Sequence, residues 1–349
     1  MSSSDARKRD HLTLCATGDV GFHARGPLFD DVSLVHDSLP ELALAEVDLR
    51  VRIFGKRLRA PIVIAAMTGG TEEAARINLD LAAIAEARGY GFGLGSQRAM
   101  LRGVAPRLFK VRDVAPTTLV LGNLGGVQAA ACSTEDVLGL VTAVSADALC
   151  VHLNPAQELI QPEGDRDFRG VLSALGRLSR DLPVPVVAKE TGCGLGPSVA
   201  RKLASAGVRH VDVSGAGGTS WVGVETLRME GQDQQRALGE AFWDWGIPSA
   251  ASVVMCARAE FSTVVATGGV SSGLDAARAL ALGAHAVGIA RPVLRAHHEG
   301  GSAAVHRFFD GVEAELRTAM LLTGSRDVEA LRRAPRIVGP TLARWIESP

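Results

Sequence analysis

The stretch His152-Leu153-Asn154-Pro155-Ala156-Gln157-Glu158 places an imidazole, amides and a carboxylate directly behind an apolar run, Ala148-Leu149-Cys150-Val151. A buried strand ending in groups that bind, polarise and coordinate delivers chemistry to its tip. The polar segment Gln161-Pro162-Glu163-Gly164-Asp165-Arg166-Asp167-Phe168 that follows exceeds what a strand-to-helix turn requires, as in an active-site loop. The plainer account has His152 and Asn154 satisfying backbone groups, with Gln157 and Glu158 opening a helix at the positive end of its dipole. Other apolar runs end the same way, in Gly, Ser, Thr, Asn, Lys or Arg, and that repetition is hard to ascribe to turn chemistry.

Other tips carry chemistry of their own. Thr267-Gly268-Gly269-Val270-Ser271-Ser272-Gly273 precedes a helical pattern, and Val287-Gly288-Ile289-Ala290-Arg291 ends the next apolar run. Glycines let backbone N–H groups approach a phosphate, and a helix N-terminus adds partial positive charge. Lys189 ends another run, where a cation suits the electron-rich edge of a reduced flavin, or a Schiff base. With Met67, Thr68, Ser96 and Asn123 on neighbouring tips, a broad heterocycle such as FMN fits better than a small aldehyde. Glu158 is a hard-metal ligand type, but one carboxylate makes no cage. Mg2+ keeps its waters and takes one or two carboxylates plus substrate phosphates, so the spacing points to a metal–diphosphate complex. His152, Asn154, Arg98 and the Arg7-Lys8 pair would complete an anion-binding wall.

The elements behind these tips are short β-compatible runs at Pro61–Ala66, Gly91–Leu94, Thr118–Leu121, Ala148–Leu153, Val184–Ala188, His210–Val213, Thr263–Ala266 and Ala286–Ile289. Each is apolar enough to be buried on both faces. Helical patterns with defined ends lie between most of them: Thr71 before Glu72 and Glu73 with a stop at Gly89, Ser133 with Asp136, Pro197 to Gly207, and a stop at Gly283. Eightfold strand–helix alternation closes naturally as a (β/α)8 barrel, whose active site lies at the C-terminal strand ends. An open doubly wound sheet is disfavoured, because no GxGxxG follows the first strand. Residues 1–58 form an extension before the barrel of residues 59–349, and Ala216–Gly246 reads as a long ordered loop after strand six, a lid or an oligomer contact. Its Trp221, Trp243 and Trp245 argue for order.

With 349 residues, 47% hydrophobic and 21% charged, the chain has the composition of a soluble globular protein. Lys+Arg 37 against Asp+Glu 38 leaves a net charge of -1, so no global field favours nucleic acid or an anionic membrane. The cysteines at 15, 132, 150, 193 and 256 lack CxxC spacing, which argues against a disulfide framework or structural zinc. With no apolar run of membrane-spanning length, a cytoplasmic location is expected.

Taken in order along nearly the whole chain, these residues resemble the type 2 (FMN-dependent) isopentenyl-diphosphate isomerases. The resemblance rests on Arg7-Lys8 with Asp10-His11, Phe29-Asp30-Asp31-Val32 through His36, Met67-Thr68-Gly69-Gly70 and Gly95-Ser96-Gln97-Arg98. It continues through Asn123-Leu124-Gly125, His152 to Glu158, Lys189-Glu190, Ser214 to Trp221, Trp245-Gly246-Ile247-Pro248 and Gly268-Gly269. It implies a 1,3-allylic proton shift between isopentenyl and dimethylallyl diphosphate, with reduced FMN acting in acid–base catalysis. Ala66, Met67, Thr68, Ser96, Asn123, Lys189, Ser214, Thr219, Gly268, Gly269, Val270, Ala290 and Arg291 would hold FMN. Arg7, Lys8, His11, Arg98, His152, Asn154, Gln157 and Trp221 would hold the substrate, and Glu158 would hold Mg2+. The catalytic side chains would be His152, Asn154 and Gln157; an amide is no ordinary base, so Gln157 would orient the carbon skeleton or assist a proton relay. NADPH or NADH would reduce the flavin, and a homo-oligomer, a tetramer or octamer, is implied. Departures such as Asp10, Gly122 and Ser249 remove no candidate catalytic group. The alternative is an oxidoreductase like the FMN-dependent 2-hydroxy acid oxidases, but their late His-Gly-Gly-Arg constellation is replaced here by Ser214-Gly215-Ala216-Gly217-Gly218-Thr219.

Overall fold

The computed structural model describes residues 3–229, 231 and 233–347. Eight strands form one closed parallel barrel: β1 (Ile62–Ile64), β2 (Gly91–Gly93), β3 (Leu119–Gly125), β4 (Ala148–Leu153), β5 (Val186–Glu190), β6 (His210–Asp212), β7 (Thr263–Thr267) and β8 (Ala286–Ile289). Closure is made by β8 against β1, with Val287 opposite Ile62 and Ile289 opposite Ile64. All eight apolar runs are strands, and the fold is a (β/α)8 barrel.

Local chemistry explains the punctuation. The Thr71 side chain accepts the Ala74 N–H at 3.1 Å and opens Glu72–Arg88, which ends on Gly89 in the left-handed region. Ser133 and Asp136 form a reciprocal capping box on Thr134–Ala143. The strands are buried on both faces. Val63, Leu121, Cys150, Val187 and Val265 fill the barrel interior, together with Ile53, Phe54 and Leu58 from the hairpin Val51–Ile53/Lys56–Leu58. Outward-facing Ile62, Ile64, Val120, Leu149 and Ala188 join the layer beneath the helices. The rigid lower barrel leaves the opposite rim to carry polar groups.

Helices that matter to that rim are α1 (Ser3–Thr17), α2 (Pro155–Ile160), α3 (Trp221–Leu227), α4 (Asp233–Ala241) and α5 (Arg291–Leu321). The segment after β6, expected as a long loop, is largely helical: it holds α3 and α4. The reason is local and tertiary together. Ser220 Oγ accepts the Gly223 N–H at 3.0 Å to start α3, while Val222 and Met229 pack on Ile160 of α2. Trp243 is buried and donates its indole N–H to Gly21 O at 2.7 Å, but Trp245 is 61% exposed.

The N-terminal segment is a helix, not a solvated tail. Leu12 and Cys15 of α1 bury against Val20, Val224 of α3 and Leu294 of α5. No helix among the described residues is long and apolar enough to cross a membrane. All five cysteines are free thiols, and Cys15, Cys150 and Cys256 are buried.

Candidate active site

A cavity of about 560 Å3 opens over the C-terminal ends of the strands, roofed by α1, α2 and α3. Every site residue singled out in the sequence lines it. One side is the flavin-type set: Ala66, Met67 and Thr68 after β1, Ser96 after β2, Asn123 in β3, Lys189 in β5, Ser214 and Thr219 after β6, Gly268, Gly269 and Val270 after β7, and Ala290 and Arg291 after β8. The other is the polar wall of Arg7, Lys8 and His11 from α1, Arg98, His152, Asn154, Gln157, Glu158 and Trp221.

On the glycine side, Gly268 and Gly269 have φ of +100° and +77°. A side chain at either would be strained and would also strike backbone, since a Cβ on Gly268 would lie 2.3 Å from Gly215 O. Glycine is therefore required for the turn that faces the cavity. Beside it, the Nε atoms of Arg291 and Arg295 are buried without a hydrogen-bond partner. Buried cationic donors without acceptors, next to glycine turns and the N-terminus of α5, fit an anionic group such as a phosphate.

Lys189 lies on the floor, buried, and donates to Asp212 Oδ2 at 2.6 Å. Asp212 also accepts the Ser214 N–H at 3.3 Å. Asp212 was not foreseen; the parallel register of β5 and β6 sets it directly opposite Lys189. Gln97 was missed as well. Its side chain donates to Leu140 O and accepts the Asn123 N–H, at 2.9 and 3.0 Å, which fixes β3 where Asn123 enters the cavity.

The plainer account of His152 and Asn154 fails on their bonds. His152 Nδ1 donates to the Asn123 side-chain oxygen at 2.8 Å, leaving Nε2 as an acceptor. Burial, reinforced by the positive charges of Lys189 and Arg98, holds His152 down at about 4, so the ring is neutral at pH 7. Asn154 Nδ2 donates to Gln157 Oε1 at 3.2 Å and Glu158 Oε1 at 3.0 Å, both side chains of α2. Glu158 does open that helix, but it is buried, and its Oε2 accepts the Asp165 N–H at 2.8 Å. Asp165 in turn accepts from Gln128 at 2.9 Å and lies 3.8 Å from Arg98. The polar segment after α2 thus folds back over Glu158. Among the described residues, no group of three or more His, Cys, Asp and Glu could hold a metal ion. One buried carboxylate fits a cation that keeps most of its waters and shares a substrate's phosphates.

The residue most clearly missed is Glu225 of α3, fully buried. Its Oε1 accepts from His11 at 2.9 Å and Gln157 Nε2 at 3.0 Å, and its Oε2 accepts from Arg228. Burial alone would push this carboxyl up; the His11 hydrogen bond and the charges of His11 and Arg228 bring it below the usual range instead. Glu225 thereby joins α1, α2 and α3 at one point. An apolar helical segment with an isolated Glu and Arg three apart was the only trace of this in the sequence.

Comparison with known proteins is consistent along the chain. Residues 168–337 match the family model described as FMN-dependent dehydrogenase. The isopentenyl-diphosphate delta-isomerase of Pyrococcus abyssi is 42% identical, covering 97% of this chain and 94% of the relative. That of Halobacterium salinarum is 43% identical, covering 99% and 97%. Among solved structures, a Pediococcus acidilactici protein described as a putative lactate oxidase superposes with a TM-score of 0.70 at 17% identity, covering 96% of this chain and 94% of that one. A mandelate oxidase variant carrying an FMN adduct gives 0.64 at 19% identity, covering 96% and 100%. These structural likenesses speak for the barrel alone.

Proposed function

Because this chain belongs to the type 2 isopentenyl-diphosphate delta-isomerase family, we propose that it interconverts isopentenyl and dimethylallyl diphosphate in isoprenoid biosynthesis. The observation that carries the reading is the two-sided cavity: a glycine-and-arginine side suited to a phosphate-bearing cofactor faces a cationic wall suited to a diphosphate. Bound FMN in its reduced form would supply the acid–base group for the 1,3-allylic proton shift. Gly268, Gly269, Ala290 and Arg291 would hold its phosphate, and Ala66, Met67, Thr68, Ser96, Asn123, Lys189, Ser214, Thr219 and Val270 would surround its rings.

Arg7, Lys8, His11 and Arg98 hold the substrate's negative charge at one end of the cavity. His152 is neutral and locked by Asn123, so it offers a fixed polar contact, not a mobile proton at pH 7. Gln157, held by Asn154 and Glu225, has one orientation in which to meet the hydrocarbon part, and Trp221 adds an apolar surface. Asn154 acts through these contacts. Glu158 would hold Mg2+ on the diphosphate. In this reading the 1–58 extension supplies the substrate wall and residues 59–349 the flavin barrel. The family resemblance further supports a nicotinamide cofactor as flavin reductant and a homotetramer or larger assembly in the cytoplasm.

The deciding experiment reduces the FMN-loaded protein once, anaerobically, removes excess reductant, and adds isopentenyl diphosphate and Mg2+ in D2O. Many turnovers, with deuterium entering dimethylallyl diphosphate, are expected. Consumption of one reducing equivalent pair per product would instead identify an oxidoreductase.

A further inference from the structure

Gly18 ends the last turn of α1, its N–H on Leu14 O at 2.9 Å. Its own carbonyl, at the negative end of that helix, accepts from Arg291 Nη2 at 2.8 Å and from Arg295 Nη2 at 3.0 Å. These arginines lie one turn apart at the N-terminus of α5, and both line the cavity beside Gly269 and Gly288. Neither has a carboxylate in ion-pair range among the described residues, and each keeps a buried Nε–H without an acceptor. Burial, and then the charge of Arg295, pull the Arg291 guanidinium below its ordinary range, and the Asp19 carboxylate, beyond ion-pair distance, offsets them only in part. Two partly buried like charges sharing one neutral oxygen are under-compensated, and the phosphate side of the cavity is where compensation can come from.

We propose that Arg295 is a positioning residue that joins the cofactor-phosphate turn to the N-terminal helix: with Arg291 it grips the carbonyl end of α1 while a phosphate dianion in the cavity balances the pair's charge. The inference rests on the reading that FMN occupies this cavity, and it goes further. α1 carries Arg7, Lys8 and His11, so loading the cofactor would set the substrate wall in place before substrate arrives. The linkage is reciprocal: a docked α1 would tighten FMN binding by the same factor.

The test is amide hydrogen exchange over residues 7–17 of the full chain, ligand-free, with FMN, and with riboflavin, which lacks the phosphate. Flavin binding is followed separately by fluorescence quenching. FMN is expected to slow exchange in α1 by about tenfold, the scale of one hydrogen bond to a charged group. Riboflavin, though bound, should leave exchange at the ligand-free rate. Arg295→Gln should abolish the FMN-dependent slowing and weaken FMN binding by about tenfold, while a retained melting transition shows that the barrel is folded. Arg295→Lys, which keeps the charge, should restore part of both. Equal protection by riboflavin and FMN would overturn the proposal, as would full FMN-dependent protection in Arg295→Gln. Failure of the wild-type protein to bind FMN at all would be seen in the fluorescence and would remove the cofactor reading itself.

Discussion

Removing the Glu225 carboxylate should uncouple from one another the three helices that roof the cavity. In Glu225→Ala, the His11 and Gln157 side chains lose the acceptor they share at 2.9 and 3.0 Å, and Arg228 loses its buried partner. Arg228 Nε keeps only Asp10, at 3.5 Å and half exposed. Breaking a buried charged pair by deleting one partner costs about 3–5 kcal/mol. The roof contributes little to the barrel interior, so the loss should appear as local opening of α1 and α3 and not as global unfolding. At about 3 kcal/mol, amide exchange in residues 7–17 and 221–227 should accelerate on the order of a hundredfold, whereas exchange in β3 to β5 should hardly change. Glu225→Gln should show a smaller effect of the same kind, because its amide keeps one acceptor oxygen but loses the charge that pairs with Arg228 and turns an NH2 toward the donors on the other side. Steady-state kinetics should show kcat falling together with kcat/KM, since Gln157 loses its fixed orientation. Unchanged exchange in both helices, or a uniform rise across the barrel strands, would refute the reasoning.

Glu158→Gln should lose Mg2+-dependent turnover while keeping flavin, since the charge that attracts the cation is removed and the glycine turns are untouched; unaltered Mg2+ dependence would leave Glu158 as a helix-opening residue only. Replacing Arg7 and Lys8 together with Ala should raise the KM for isopentenyl diphosphate at least tenfold, with a much smaller effect on FMN affinity; the loss of even one charged contact of about 1.5–3 kcal/mol sets that floor, and unchanged kinetics would count against it. Acid should destabilise the fold between pH 6.5 and 4. Burial holds His152 and His285 each at about 4 against an ordinary 6.5, so the stability they favour is present above 6.5 and lost as pH falls toward 4, about 3 kcal/mol apiece. Glu190, pushed up by burial to about 7 from 4.5, works the other way over its own window and offsets roughly one of them. Urea midpoints measured from pH 7 to 4 should therefore fall, and a flat or rising profile would contradict the assignment.

The barrel was legible because its signals are local. Double-sided burial writes continuous apolar runs for β1 to β8, and caps such as Thr71, Ser133 and Gly89 write the helix ends within a few residues of where they act. The rim chemistry was legible for the same reason: His152, Lys189, Asn123 and Gly268 sit at strand ends, and a closed parallel barrel turns all its strand ends toward one face. The helices of the segment after β6 were not legible, because α3 and α4 are short, and α3 leans on Ile160 and Leu12 from distant parts of the chain.

What the amino-acid order determined by itself was therefore the set of elements and the side chains at their tips. Only the tertiary structure decided which tips meet. Gln157 reaches Glu225 across 68 residues, and Arg291 reaches Gly18 across 273. Lys189 finds Asp212 on the adjacent strand. Periodicity and capping act over one or two turns of chain, whereas these pairings depend on the register of barrel closure and on where α1 docks, and no local propensity encodes either.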